Sequence, residues 1–95
     1  LLASSAASDV YKRQVRKIAG EYGIDNINLV KPGIGETTRV LLRRVPWKVL
    51  VNEKYKEDAS LEHILRLAEE KEVPVEWYPL ENYKACGLIK KVADA

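Results

Sequence analysis

Apolar and polar positions along this chain change period several times, and the changes mark its elements. Val15 to Tyr22 (VRKIAGEY) reads as the tail of a helix, with Gly23 as its stop. Asn26–Lys31 (NINLVK) alternates polar and apolar, the period of a short strand. Pro32-Gly33-Ile34-Gly35 is a sharp turn. Glu36 to Arg44 (ETTRVLLRR) then reads as a helix, with an acid in its first turn and arginines in its last, as the helix dipole favours. Pro46 prevents its extension. Trp47–Val51 (WKVLV) is a compact apolar run expected to be a buried strand, and Asn52–Asp58 a charged loop. Leu61, Ile64, Leu65 and Ala68 fall at i, i+3, i+4 and i+7, which predicts a helix capped by Asp58 or Ser60 and ended by Pro74. Val75–Tyr78 (VEWY) reads as a strand, Leu80–Cys86 as a brief helix closed by Gly87, and Leu88–Ala95 as the start of a further element. Alternating strands and helices imply an α/β fold: a three-layer α/β/α sandwich around a small four-stranded mixed sheet, the last strand cut short at Ala95.

Residues 4–14 read SSAASDVYKRQ. In one reading frame this is similar to the translated adapter of transposase-based sequencing libraries. Residues 1–14 are therefore set aside as a non-native scar, expected to be disordered, and residues 15–95 are expected to form a single domain. With 46% apolar and 32% charged residues, the chain suits a folded globular protein and not a disordered one. No apolar run approaches the roughly 20 residues of a membrane helix, so no membrane contact is expected, and with a single cysteine a reducing cytoplasm is the default. A lone cysteine, Cys86, excludes an internal disulfide framework and a multi-cysteine zinc site.

A formal net charge of +2 does not by itself announce a nucleic-acid binder, but the charges are unevenly spread. From residue 31 to 48 the cations Lys31, Arg39, Arg43, Arg44 and Lys48 face the single acid Glu36, while acids dominate from Glu53 to Glu76. A chain of that kind can present a local positive face while staying near neutral. Within the basic stretch, Lys31-Pro32-Gly33-Ile34-Gly35-Glu36-Thr37-Thr38-Arg39 carries the most chemistry. Glycines let backbone approach a ligand closely. The helix that starts beside them offers free N–H groups and the positive end of its dipole to phosphate. Thr37, Thr38 and Arg39 add donors, Arg43 and Arg44 lie one turn further, and Glu36 can accept from the amino groups of bases. The competing reading is a strand–turn–helix connector with a surface arginine stripe.

KPGIGETTR resembles the K-x-G-x-N-E-x-T-K signature of the kink-turn RNA-binding ribosomal protein family (the archaeal-type large-subunit "seven Ae" proteins and their "thirty e" relatives). RRVPWKVLVNEKYKEDASLEHILRLAEEKEVPVEWYPL is similar to that family's strand, acidic loop, helix and "EEKGVPV" strand, in the same order. YKACGLIKK resembles its closing "ACG" loop. The resemblance spans residues 15–95. It implies a non-catalytic RNA-binding protein without cofactor, a monomer outside a ribonucleoprotein, with structured RNA and the ribosome as partners. Carried over by position, Gly33 is the turn glycine, Glu36 the base-reading acid, Thr38 the threonine, Arg39 the cationic position and Lys31 the basic residue before the turn. Cys86, Gly87, Leu88 and Ile89 match a second loop that packs against an extruded base. Gly35 stands where most members have asparagine, which removes one base contact, typically ~1–3 kcal/mol of discrimination. Asn82-Tyr83 replaces the usual leucine–glycine pair.

The other candidates read more simply. Cys86 has no histidine near it in sequence and reads as a small buried cysteine. His63 lies among polar helix positions and reads as solvated. Trp47 and Trp77 are expected in the core, although aromatic rings can also stack bases. No group of acids or histidines points to a metal site. A rival from another class is the substrate-recognition domain of knotted ribose methyltransferases, whose helix and strand resemble Leu61–Trp77. The H-Q-G motif that follows there is replaced here by KACGL.

Overall fold

The computed structural model describes residues 2–89, with side chains from Lys12 onward. Its elements are α1 (Leu2–Glu21), β1 (Val30–Pro32), α2 (Ile34–Arg43), β2 (Lys48–Val51), α3 (Ala59–Glu70), β3 (Val75–Trp77) and β4 (Ala85–Leu88). Single 3-10 turns at Ile27–Leu29 and Glu53–Tyr55 lead into β1 and α3. The strands form one sheet in the order β1-β4-β2-β3. β4 runs antiparallel to both neighbours, and β2 pairs parallel with β3 through the α3 crossover, so the sheet is mixed. Alternation along the central strands divides the core. Leu50, Cys86 and Leu88 face α1, where they meet Val15, Ile18 and Ala19. Val49, Val51 and Ala85 face the other way and meet Leu41 of α2 and Leu61, Ile64 and Ala68 of α3. This is the expected α/β/α sandwich. Among the described residues no helix is long and apolar enough to cross a membrane.

Each helix ends for a local reason. Gly23 closes α1 at φ 65, and the Ile24 N–H reaches back to the Ala19 carbonyl at 2.8 Å. Asp58 opens α3 by accepting the Ser60 N–H at 2.8 Å. Beyond Glu70, Val73 N–H bonds the Ala68 carbonyl at 2.8 Å and Glu72 N–H the Glu69 carbonyl at 3.1 Å. These two bonds form a Schellman cap, and its left-handed position is occupied by Glu72, at φ 57. A side chain there costs roughly 1 kcal/mol relative to glycine. Glu72→Gly is therefore expected to stabilise the domain by about that amount, read as a higher urea midpoint; an unchanged or lower midpoint contradicts it.

Three sequence expectations are corrected. Residues 2–14 are not disordered but continue α1 toward its start; no glycine or proline interrupts them, and Ala, Lys, Arg and Gln are good helix formers. Helical geometry carries no information on where that segment came from. Leu80–Cys86 does not form a helix. Residues 80–84 are irregular, and Ala85–Leu88 is a strand paired on both sides, so pairing outweighs local preference. The preceding loop is tied down by buried Asn52, which donates to the carbonyls of Leu80 at 2.7 Å and Tyr83 at 3.2 Å. Trp47 and Trp77 are 36% and 48% exposed, so neither is a core residue; Trp77 lies on edge strand β3, which has a neighbour on one side only.

A polar clasp joins α1 to the β2–β3 edge. Lys48 Nζ lies 2.8 Å from the Glu76 carboxylate, the Tyr22 hydroxyl donates to the same group, and the Lys48 ammonium sits 5.0 Å from the Trp47 ring centre. Lys48, and after it the Tyr22 hydroxyl, hold Glu76 below the ordinary carboxylate range; Lys84 and the Ser60 N–H do the same for Asp58. A depressed carboxylate contributes stability that is fully present above its unfolded pKa and is lost as pH falls through the folded one. Stability is expected to drop below about pH 4, and to drop less steeply in an E76Q/D58N variant. Urea midpoints across that range check this; identical acid limbs contradict it.

Candidate nucleic-acid interface

The turn at residues 31–39 is built around Gly33. Its φ of 104 and ψ of 151 lie in a region that side chains rarely enter, so glycine is required where β1 turns into α2. Gly33 N–H donates to the Ala85 carbonyl at 2.8 Å, which pins the turn to β4. Its carbonyl accepts both the Thr37 N–H at 2.9 Å and the Thr37 hydroxyl at 2.7 Å. No side chain caps α2, so the N–H groups of Ile34, Gly35 and Glu36 open the helix without partners inside it. Those donors and the dipole favour an anion there.

Below the turn, α2 lies close against the sheet. Gly87 of β4 faces it, and a Cβ placed on Gly87 would stand 3.7 Å from the Thr37 backbone. Between α2, β1 and the end of β4 runs a groove of about 270 Å³, lined by Lys31, Glu36, Arg39, Val40, Arg43, Arg44 and Ile89. Lys31 lies on edge strand β1 opposite Gly87, on the α2 side of the sheet. Glu36, Arg39 and Arg43 succeed one another at helical spacing along α2. Val40 and Ile89 supply apolar surface between the charges. None of the groove cations takes part in an ion pair among the described residues, whereas Lys48, Arg66 and Lys84 each hold an acid. Among the described residues, the groove's charge is thus offset only by Glu36, which lines it too.

The structure sorts the residues expected at the site. Lys31, Glu36, Arg39, Arg43 and Ile89 converge on the groove, with Gly33 shaping the turn. Gly35 is exposed at the start of α2, with nothing within 4 Å of where its Cβ would stand. Thr38 is half-buried on α2. Thr37 is not a surface donor: it is fully buried and its hydroxyl is spent on the Gly33 carbonyl. Cys86, Gly87 and Leu88 do not form a binding loop. They are the inner positions of β4, buried between β1 and β2, and a residue without exposed surface makes no contact with a partner. Burial pushes the Cys86 thiol up to about 12, which favours the protonated form at neutral pH. One lining residue, Val40, was absent from the sequence expectation. Arg44 was legible as the next cation after Arg43; Val40 belongs to the apolar face of α2, and only packing shows that its edge borders the groove.

A cationic groove at a helix start, with one carboxylate and an apolar floor, suits a ligand with phosphates and base edges. Comparison with known proteins agrees. A protein of Acinetobacter baylyi named cysteine protease StiP is 40% identical over 87 residues, which take in 92% of this chain and 23% of that protein. The chain thus spans about a quarter of the length of that relative. Residues 9–91 match the family described as the PELOTA RNA binding domain, and the chain belongs to that family.

Proposed function

We propose that this RNA-binding domain recognises structured RNA of the kink-turn class, by shape and phosphate contacts, through the groove between β1 and α2. The observation that carries this reading is the convergence of Lys31, Arg39, Arg43 and Arg44 around Glu36 in one groove, none of the cations held in an ion pair among the described residues. The arginines and Lys31 hold phosphates, with the open N–H groups of α2 beside them, and Glu36 accepts from exocyclic amino groups. The part the sequence assigned to a loop at 86–89 falls to Ile89 alone. A cytoplasmic domain acting on structured RNA, ribosomal RNA included, fits this chemistry.

The domain is proposed to be non-catalytic. Cys86 is buried with a raised pKa, and His63 is exposed on α3, which packs on the opposite face of the sheet from the Cys86 side chain. The cysteine protease named among its relatives is more than four times the length of the matched region, and we assign that chemistry to the rest of such proteins. The same length difference favours a second reading alongside the first: the domain is the RNA-recognition part of a longer protein.

The test is a titration with a kink-turn hairpin and with the same hairpin whose G·A pairs are changed to Watson–Crick pairs. A preference for the kinked RNA, reduced by Glu36→Ala, is expected. Equal affinity for both RNAs, unaltered by Glu36→Ala, contradicts the kink-turn reading.

A further inference from the structure

The second helix-borne charge of this domain lies on the opposite face of the sheet from the groove. Arg16 and Lys17 are exposed on α1, beside the buried positions Val15 and Ile18, and neither enters an ion pair among the described residues. Glu21, one turn beyond Lys17, is the only acid of α1 among the residues whose side chains are described. Besides the central strands, α1 touches β1, which α2 touches from the other side. One sheet edge is thus flanked by two cation-bearing helices, with Lys31 on the strand between them.

That edge is poorly suited to adding another strand. β1 is three residues long and ends in Pro32, whose nitrogen has no proton to donate. The acids gather toward the other edge: Glu62, Glu69 and Glu70 on α3, and Glu76 on β3. The domain is therefore electrically polarised across its sheet, positive at β1 and negative toward β3, which orients it toward a polyanion. A single strand lying in the α2 groove leaves Arg16 and Lys17 without phosphates. Cations on opposite faces of a sheet are met together by a ligand that carries two separated phosphate tracks, which a double-helical RNA does.

We propose that the β1 edge sits astride an RNA stem, one strand's phosphates lying on the α2 groove and the other strand's on Arg16 and Lys17. This rests on the reading that the groove binds RNA, and it goes further by adding a second contact face on α1.

The experiment measures affinity by fluorescence anisotropy over a range of KCl concentrations. The ligands are a hairpin stem and an unstructured strand of equal length; the proteins are the intact chain, R16Q/K17Q, R39Q/R43Q and a K56Q control on the loop before α3. Each phosphate contact contributes close to one unit to the slope of log affinity against log salt, so R16Q/K17Q is expected to flatten the stem slope by about 2. Its slope on the unstructured strand stays that of the intact chain, and K56Q changes neither. Exposed positions are substituted throughout, and circular dichroism verifies folding. If R16Q/K17Q keeps the full stem slope while R39Q/R43Q loses it, the groove binds RNA but the second face is overturned. If the intact chain retains neither RNA, the groove reading itself fails, and this proposal with it.

Discussion

Leu50→Ala should lower the free energy of unfolding by roughly 3 kcal/mol, within the 2–5 kcal/mol typical of a leucine truncated in a packed core. Leu50 sits on β2, between β4 and β3, is fully buried, and belongs to the cluster that seats α1 on the sheet. Its neighbours Val15, Ile18 and Leu88 are held by helix and sheet backbone and have little freedom to close the gap. A domain of this size has about 5–15 kcal/mol to lose in total. At roughly 4–8 °C per kcal/mol, melting is expected more than 10 °C below that of the intact chain. A melting temperature within a few degrees of the intact chain would show that α1 is not seated as described.

The other large effect is a gain. Gly35→Asn should increase preference for a kink-turn over its Watson–Crick control by roughly tenfold, since one good base contact is worth ~1–3 kcal/mol. Gly35 is the second residue of α2, is exposed, and has nothing within 4 Å of where its Cβ would stand. Unlike Gly33, it has no positive φ, so a side chain there is unstrained. Asparagine is also a slightly better helix former than glycine, so folding is not expected to suffer. The new amide would stand one residue before Glu36, at the groove mouth. Competition between the two hairpins reads the effect directly. A variant that folds and binds as the parent does would mean that the groove does not read a kink-turn in the way the sequence resemblance implies.

Most of the fold was legible because its signals are local. The spacing of Leu61, Ile64, Leu65 and Ala68, the cap at Asp58 and the apolar run at Trp47–Val51 each announced an element that the structure contains. The four-residue strand at Ala85–Leu88 was not legible. Its sequence, ACGL, has neither alternation nor β-branched residues, and it is a strand because β1 and β2 both pair with it. The site divides along the same line. Lys31, Glu36, Arg39 and Arg43, expected from the turn and helix that carry them, line one groove, and Gly33 shapes its turn. Thr37 looked like a surface donor because a hydroxyl at a helix start can face either way; here the first turn folds it onto the Gly33 carbonyl. Cys86 to Leu88 were misplaced for the reason that hid β4, since a loop offers side chains and a central strand buries them.

The charge asymmetry also proved spatial as well as sequential. The basic stretch of the sequence, apart from Lys48 on β2, became the β1 side of the sandwich, and the acidic stretch became α3 with its flanks. Arg66 holds Glu62 at 3.4 Å, and Lys84 holds the Asp58 carboxylate at 2.7 Å. The pairs therefore sit where acids are plentiful, and the groove arginines, unpaired among the described residues, sit where acids are few. Exposed pairs of this kind contribute little to stability.

The most direct test of the claim that RNA lies between β1 and α2 is a titration of the isotope-labelled chain with the kink-turn hairpin, followed by amide chemical shifts. The largest changes are expected at Lys31, at Ile34 to Glu36, at Arg39 to Arg44 and at Ile89, with Glu69, Glu70 and Val75–Trp77 nearly still. Changes centred on α3 and β3, with residues 31–44 unmoved, would contradict it.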